Sequence, residues 1–430
     1  MPDPLDVHLY GVKIAELEFI GPLRYRLTYD DEWTQRPDAV PLSYSLPLTN
    51  RVHDGDPLLN FLDNLLPDGE RVRERWAIGA GLDRTEPFGL LEAYGRDVAG
   101  AATFTPRGER ARERGNRTLV DETQIAERIR RLRADDSDWV ESTTVGGKFS
   151  LGGAQGKFAL SLEEDAWWEP TGEHPTTHIF KPRATGLIDG EVVEYAIMAA
   201  ATALGLATAP VGLARFGDEQ SLVVQRFDRA RVGDELIRIH QEDLCQAMGY
   251  SRLRKYEQYG GPGYRRILEF LATHAGPGST RRFAESVFFS WLVLNSDAHA
   301  KNYSIQILPE QTTLSPLYDL SSLLPYLRPD DPAARERDIA ETRLALRLVD
   351  DYRVSALTRF EWEGAARDAA ISPSEFLDWG IELNRALPSA IDAAVDSIPS
   401  GIDTTIATRL ADTIRSRSRE VGRILARRRA

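Results

Sequence analysis

Apolar and polar positions change period several times along the chain, and the changes mark its elements. Residues 7–10, 13–19 and 24–29 are rich in β-branched, aromatic and alternating apolar positions, interrupted by Gly11, Gly21 and Pro22, which predicts three strands. Residues 43–48 predict a further short strand. Apolar residues then recur with helical spacing over 57–66 and stop at Pro67, and 71–78 predict a second helix. The stretch around 106–118 is Arg-, Glu- and Gly-rich with almost no apolar residue and reads as a linker, followed by a short amphipathic helix at 121–132. A second unit opens with two strand-like ends around a glycine-rich turn at 148–160, which predicts a hairpin. A strand at 177–182, a helix at 191–204 and a strand at 221–229 follow. From His240 the spacing is mainly helical: 241–248, 263–273, 281–294, then about four helices from Ala356 onward. The run 281–294 is nearly all apolar at its end, and 303–308 returns to strand composition.

These patterns divide the 430 residues into a small mixed α/β domain at 1–106, a linker at 107–120, a strand-rich lobe at 121–230 and a helical lobe at 231–430. No apolar run approaches the ~20 residues of a membrane span. The opening Met-Pro-Asp-Pro-Leu-Asp has neither the basic region nor the apolar core of a secretory signal. Cys245 is the single cysteine, which excludes an internal disulfide and suits a reducing, cytoplasmic setting. It falls in a helical pattern and is expected in the core. Net charge is −13, which argues against unaided binding to nucleic acid. Basic clusters at 107–117 and 415–429 read as solvated faces, the second within reach of DNA only where a partner places it. Arginine dominates the 53 basic residues. Of six lysines, Lys148, Lys157, Lys181, Lys255 and Lys301 share one region, where a compact ammonium on phosphate is one reason to retain lysine.

The candidate chemistry sits where the buried helix ends. Asp297, His299 and Asn302 occupy a tight loop between helix and strand, and Asp319 follows the next strand. Two carboxylates and an amide are the groups phosphoryl transfer from ATP requires: one carboxylate to accept a hydroxyl proton, and the amide oxygen with the second carboxylate to hold Mg²⁺. Alone, such a loop is also an ordinary turn. Its context carries it further. Gly152, Gly153 and Gly156 lie in a turn that lets backbone N–H groups approach phosphate, although the spacing is not that of a Walker A loop. Lys181 is a lone lysine in an apolar strand, and Glu194 on the following helix is its candidate partner, the device kinases use to fix ATP phosphates. Phe227, at the end of the connecting strand, suits an adenine ring. Asp54, Asp56, Asp63 and Asp68 read as caps and surface.

In this order the chain resembles the HipA family, the toxin kinases of HipBA-type toxin–antitoxin pairs. The resemblance runs through Pro41–Leu48, Asn64–Gly69, Gly153–Lys157, Thr177–Lys181, Arg226–Arg229, His240–Asp243, Lys255–Glu257 with Gly260–Gly263, Asp297–Asn302 and Tyr318-Asp319. It implies an α+β, two-lobed protein-kinase-like fold related to phosphoinositide kinases. It implies a serine/threonine kinase using ATP and Mg²⁺, with Asp297 as base and Asn302 and Asp319 on the metal. Lys181, Gly152, Gly153, Ala154, Gln155, Gly156, Lys157, Gln225, Phe227 and His299 would form the ATP site, supported by Glu194. Ser150 would be the site of self-inactivating autophosphorylation. The implied partners are a HipB-like helix-turn-helix antitoxin, operator DNA reached through it, and a protein substrate such as an aminoacyl-tRNA synthetase, glutamyl-tRNA synthetase above all. Gln225, Gly156 and Val193 depart from the residues common at those places. Two other readings stay open: a kinase for a lipid or small molecule, and a catalytically silent co-repressor bound to DNA with an antitoxin.

Overall fold

A computed structural model describes residues 2–109, 117–139, 149–150, 152–153, 155–172, 174–184, 188–233, 235–327 and 331–427, with the backbone alone at 149–150 and 332. The chain forms two compact units: Met1–Thr185 with Arg215–Arg254 and Ser304–Thr312, and Gly186–Ala214 with Lys255–Tyr303 and Thr313–Ala430.

The first unit contains two main sheets. One is antiparallel, in the order Val52–Asp54, Arg24–Tyr29, Val12–Gly21, Leu5–Leu9, Ala102–Pro106. Its strand Leu5–Leu9, paired on both sides, is buried throughout, so apolar Leu5, Val7 and Leu9 fill the core, while Asp6 is held by Lys13 at 2.6 Å. The helices Asp56–Asn64 and Glu70–Gly79 stand where the spacing predicts them. The strand expected at 43–48 does not form; only a bridge joins Ser43 and Leu46. Pro41 and Pro47 lack the N–H a ladder needs. Side chains serve the backbone instead: the Tyr29 hydroxyl donates to Leu46 O and accepts from Leu42 N, and Glu242 accepts from Tyr44 N. Asp63 is more than a surface residue, since Arg73 and Arg252 both pair with it.

The second sheet carries the expected site strands. Within this unit its order is Glu219–Gln225, His178–Pro182, Phe158–Glu163, Ala166–Pro170, Arg117–Val120. Lys181 pairs with Leu222, and Phe180 stacks on Phe158 with ring centroids 4.6 Å apart. Alternation along the strand therefore sets Lys181 on the face opposite that aromatic layer. The predicted hairpin at 148–160 is not what forms. Phe158–Glu163 pairs with His178–Pro182 through its first half and with Ala166–Pro170 through its second, and not with Phe149–Ser150. The latter instead pairs in parallel with Asp97–Val98. The helix expected at 241–248 is also shorter: Gln241–Asp243 is a strand against Ser304–Ile307, and Asp243 then caps the short helix Leu244–Ala247 in a capping box with Gln246. Cys245 on that helix is fully buried.

The second unit is mainly helical. Gly276–Val293 begins earlier than the apolar run, because Pro277 starts it. Its Phe288 lies among Trp291, Trp362, Phe376 and Trp379, with centroids 4.8–5.7 Å away. Among the described residues three α-helices rather than about four follow Ala356: Arg359–Asp368, Pro373–Asp396 and Thr405–Ala426. The middle one continues through Pro388. Among the described residues no helix is long and apolar enough to cross a membrane.

Candidate active site

The catalytic candidates of the second unit are built on the end of its central helix. Gly276–Val293 stops because Leu294 takes a left-handed conformation, φ 57°, unfavourable for a residue with a side chain. The turn is fastened from several directions. Asn295 N–H reaches Ser290 O at 2.8 Å, Leu323 N–H reaches Leu294 O at 3.2 Å, and the Ser322 hydroxyl donates to Val293 O at 2.6 Å. Asp319 is also left-handed, φ 54°.

Asp297 is exposed, yet its main chain is fixed. Its carbonyl accepts from His299 N at 2.7 Å and from Asn302 Nδ2 at 2.9 Å. Ala300–Asn302 forms one 3₁₀ turn, and the Tyr318 hydroxyl donates to Lys301 O at 2.7 Å. With its Nδ2 committed, Asn302 keeps its Oδ1 for another partner. That oxygen and the Asp319 carboxylate are hard donors of the kind Mg²⁺ accepts.

The Asp297 carboxylate itself accepts a short hydrogen bond from the Tyr256 hydroxyl. The same Tyr256 ring meets His299 edge to face, centroids 4.9 Å apart. Burial pushes the His299 imidazole down to about 4, against the raising influence of Asp297, so it is neutral near pH 7. Its Nδ1 is buried with no hydrogen-bond partner. Tyr256 was not singled out by sequence reasoning; it lies 41 positions before Asp297, and only its place in the Lys255–Glu257 motif could have drawn notice.

The phosphate and adenine candidates lie in the first unit. Lys181 is buried on its strand, and Glu194 is buried on the helix Gly190–Ala203 of the second unit. Gly153 adopts φ +106°, and Lys157 Nζ donates to Gly152 O at 2.7 Å while lying 5.0 Å over the Trp139 ring. Gln155 Nε2 donates to Pro182 O at 3.1 Å. A Cβ at Gly156 would sit 2.9 Å from Asp136 O, which accounts for glycine at that place. Gln225 is exposed and Phe227 half-buried. Ala154 lies outside the described residues, and Ser150 is described by its backbone only.

The first unit carries a strand lysine and a glycine-rich loop, and the second a buried helix glutamate and an Asp-x-His-x-x-Asn loop followed by a second aspartate, residue types that kinases use; the fold is α+β and protein-kinase-like. Comparison with known proteins agrees. The HipA N-terminal domain matches residues 5–105 and the HipA-like C-terminal domain residues 149–391. A putative kinase of Sinorhizobium fredii, Y4mE, is 32% identical over 80% of each chain. The serine/threonine-protein kinase toxin HipA of Shewanella oneidensis is 28% identical, over 90% of this chain and 88% of that one. The solved complex of Shewanella oneidensis HipA with HipB and its operator DNA superposes with a TM-score of 0.82 at 24% identity, covering 99% of this chain and 100% of that chain, a likeness of fold. The chain belongs to the HipA family, and is a kinase.

Proposed function

We propose that the chain is an ATP- and Mg²⁺-dependent protein serine/threonine kinase acting as the toxin of a type II toxin–antitoxin pair in the cytoplasm. The observation that carries this reading is the Asp297 loop: a solvent-facing carboxylate aimed by the Tyr256 hydroxyl, with its backbone locked by Asn302. Asp297 takes the proton of a substrate hydroxyl as that oxygen attacks the γ-phosphorus of ATP; the bond to the β–γ bridging oxygen breaks and ADP leaves. Asn302 Oδ1 and Asp319 would hold Mg²⁺, which would neutralise charge on the phosphates. Lys181 binds those phosphates with the support of Glu194, and the loop of Gly152, Gly153, Ala154, Gln155, Gly156 and Lys157 covers them. Neutral His299 lines the nucleotide site, and Gln225 and Phe227 meet adenine. Ser150 is the autophosphorylation site. In domain terms, 1–106 is the N-terminal HipA-type domain, 107–120 the linker, 121–230 the strand-rich lobe and 231–430 the helical lobe.

The relatives support a choice of partners. One solved relative is assembled with HipB and operator DNA, and the proposal here is a HipB-like antitoxin that brings this acidic chain to its operator. The substrate is a protein, with an aminoacyl-tRNA synthetase such as glutamyl-tRNA synthetase as first candidate. The test is transfer of labelled γ-phosphate to purified synthetases. Serine or threonine labelling of one of them supports the reading. Labelling of lipid vesicles or a metabolite, with no protein acceptor, contradicts it.

A further inference from the structure

The motif Arg226-Phe227-Asp228-Arg229 holds more charge than adenine contact explains. Arg226, Asp228, Arg229 and the distant Asp97 are all buried, at 3%, 4%, 6% and 4% exposure. Arg226 binds Asp228 through Nε and Nη2, at 3.0 and 2.9 Å, and reaches Asp97 at 3.3 Å. Arg229 binds the other oxygen of Asp97 at 2.8 Å, and Arg238 approaches that oxygen at 3.4 Å. Thr176 donates to Asp97 from both its amide and its hydroxyl, at 3.1 and 2.6 Å. Val98 O accepts from both Arg226 and Arg229, and Asp228 accepts from Gly100 N at 2.7 Å. Burial opposes the charge on Asp97, yet Arg226, Arg229 and Arg238 hold its carboxyl well below the usual range.

Two consequences follow within this unit. Burial alternates from Gln225 to Asp228: exposed, buried, half-buried, buried. The strand ends at Gln225, and the inward anchoring of Arg226 and Asp228 in the turn that follows leaves Gln225 exposed and Phe227 half-buried. In addition, the strand Asp97–Val98 that receives the anchors pairs by its backbone with Phe149–Ser150. One two-residue strand therefore supports both the adenine candidates and the strand of Ser150.

We propose that Asp97 is a positioning residue of the nucleotide site: through Arg226 and Arg229 it fixes Gln225 and Phe227, and through its strand it couples nucleotide binding to the backbone at Ser150. The proposal rests on the kinase reading above. Coupling of this kind is reciprocal. Nucleotide binding slows amide exchange at 149–150, and loosening the cluster weakens nucleotide.

The test uses the full chain and the non-hydrolysable probe adenylyl-imidodiphosphate with Mg²⁺. Calorimetry gives affinity and hydrogen exchange reads 149–150. Asp97→Asn keeps the shape and removes one charge. It weakens the probe roughly fivefold and abolishes its effect on exchange at 149–150. Where that variant fails to fold, Thr176→Val decides, because it removes only the hydroxyl that donates to Asp97 and accepts from Arg226 at 2.9 Å. Folded variants with wild-type affinity and wild-type slowing of exchange overturn the proposal. A wild-type protein that binds no probe overturns the kinase reading beneath it.

Discussion

Glu242 gives the sharpest prediction about stability. It is fully buried on the strand Gln241–Asp243, paired in register with Ile305. Its Oε1 accepts from Tyr44 N at 2.8 Å. The charges and titratable groups beside it offer no compensation: Asp243 raises it further, and His240 is itself driven down to about 4 by burial and is neutral. Burial pushes the Glu242 carboxyl up from 4.5 to about 8. The folded state therefore holds a proton that the unfolded state releases near 4.5, so stability falls as pH rises from there and levels off above about 8. Between pH 6 and pH 8 the folded state loses about 2 kcal/mol from this group alone. Glu242→Gln retains the shape and the acceptor and abolishes the titration. Urea unfolding of both proteins at pH 6 and pH 8 measures the effect. The variant gains about 2 kcal/mol relative to wild type on going from pH 6 to pH 8, whatever fixed offset the new amide brings. A constant difference between the two proteins at both pH values refutes the reasoning.

Two further substitutions probe the second unit. Tyr256→Phe removes the hydrogen bond that aims the Asp297 carboxylate; kcat falls about tenfold, the worth of one bond to a charged group, while KM for ATP is unchanged, and an unaltered kcat contradicts the assigned role. Gly380→Ala places a Cβ 2.6 Å from Cζ of Phe288 at the centre of the aromatic core, so thermal unfolding shows a loss of roughly 1–3 kcal/mol, and an unshifted transition contradicts the packing described.

How much the sequence discloses depends on the range of the interaction. The Asp297–Asn302 loop is legible because polar residues interrupt an apolar helix and a strand follows. Lys181 is legible because it stands alone in an apolar strand. The helix Glu122–Ala134 announces itself through the Asp121–Gln124 capping box. What the sequence hides is pairing between distant segments. Nothing near Phe149 says that its strand partner is Asp97, and the assumption of a local hairpin fails because Phe149–Ser150 is claimed by Asp97–Val98. Gln241–Asp243 has helical spacing but is claimed by Ser304–Ile307. Tyr256 and Asp97 are ordinary residues until the fold brings Asp297 to the one and three arginines to the other.

The central claim is phosphate transfer from ATP by Asp297. Intact mass after incubation of purified protein with ATP and Mg²⁺, followed by peptide mapping, tests it most directly, with Asp297→Asn beside the wild type. The wild type gains one phosphate, on Ser150, and the variant gains none. Equal phosphate incorporation in both contradicts the role of Asp297, and no added mass on wild-type protein shown beforehand to be unphosphorylated contradicts self-phosphorylation at Ser150.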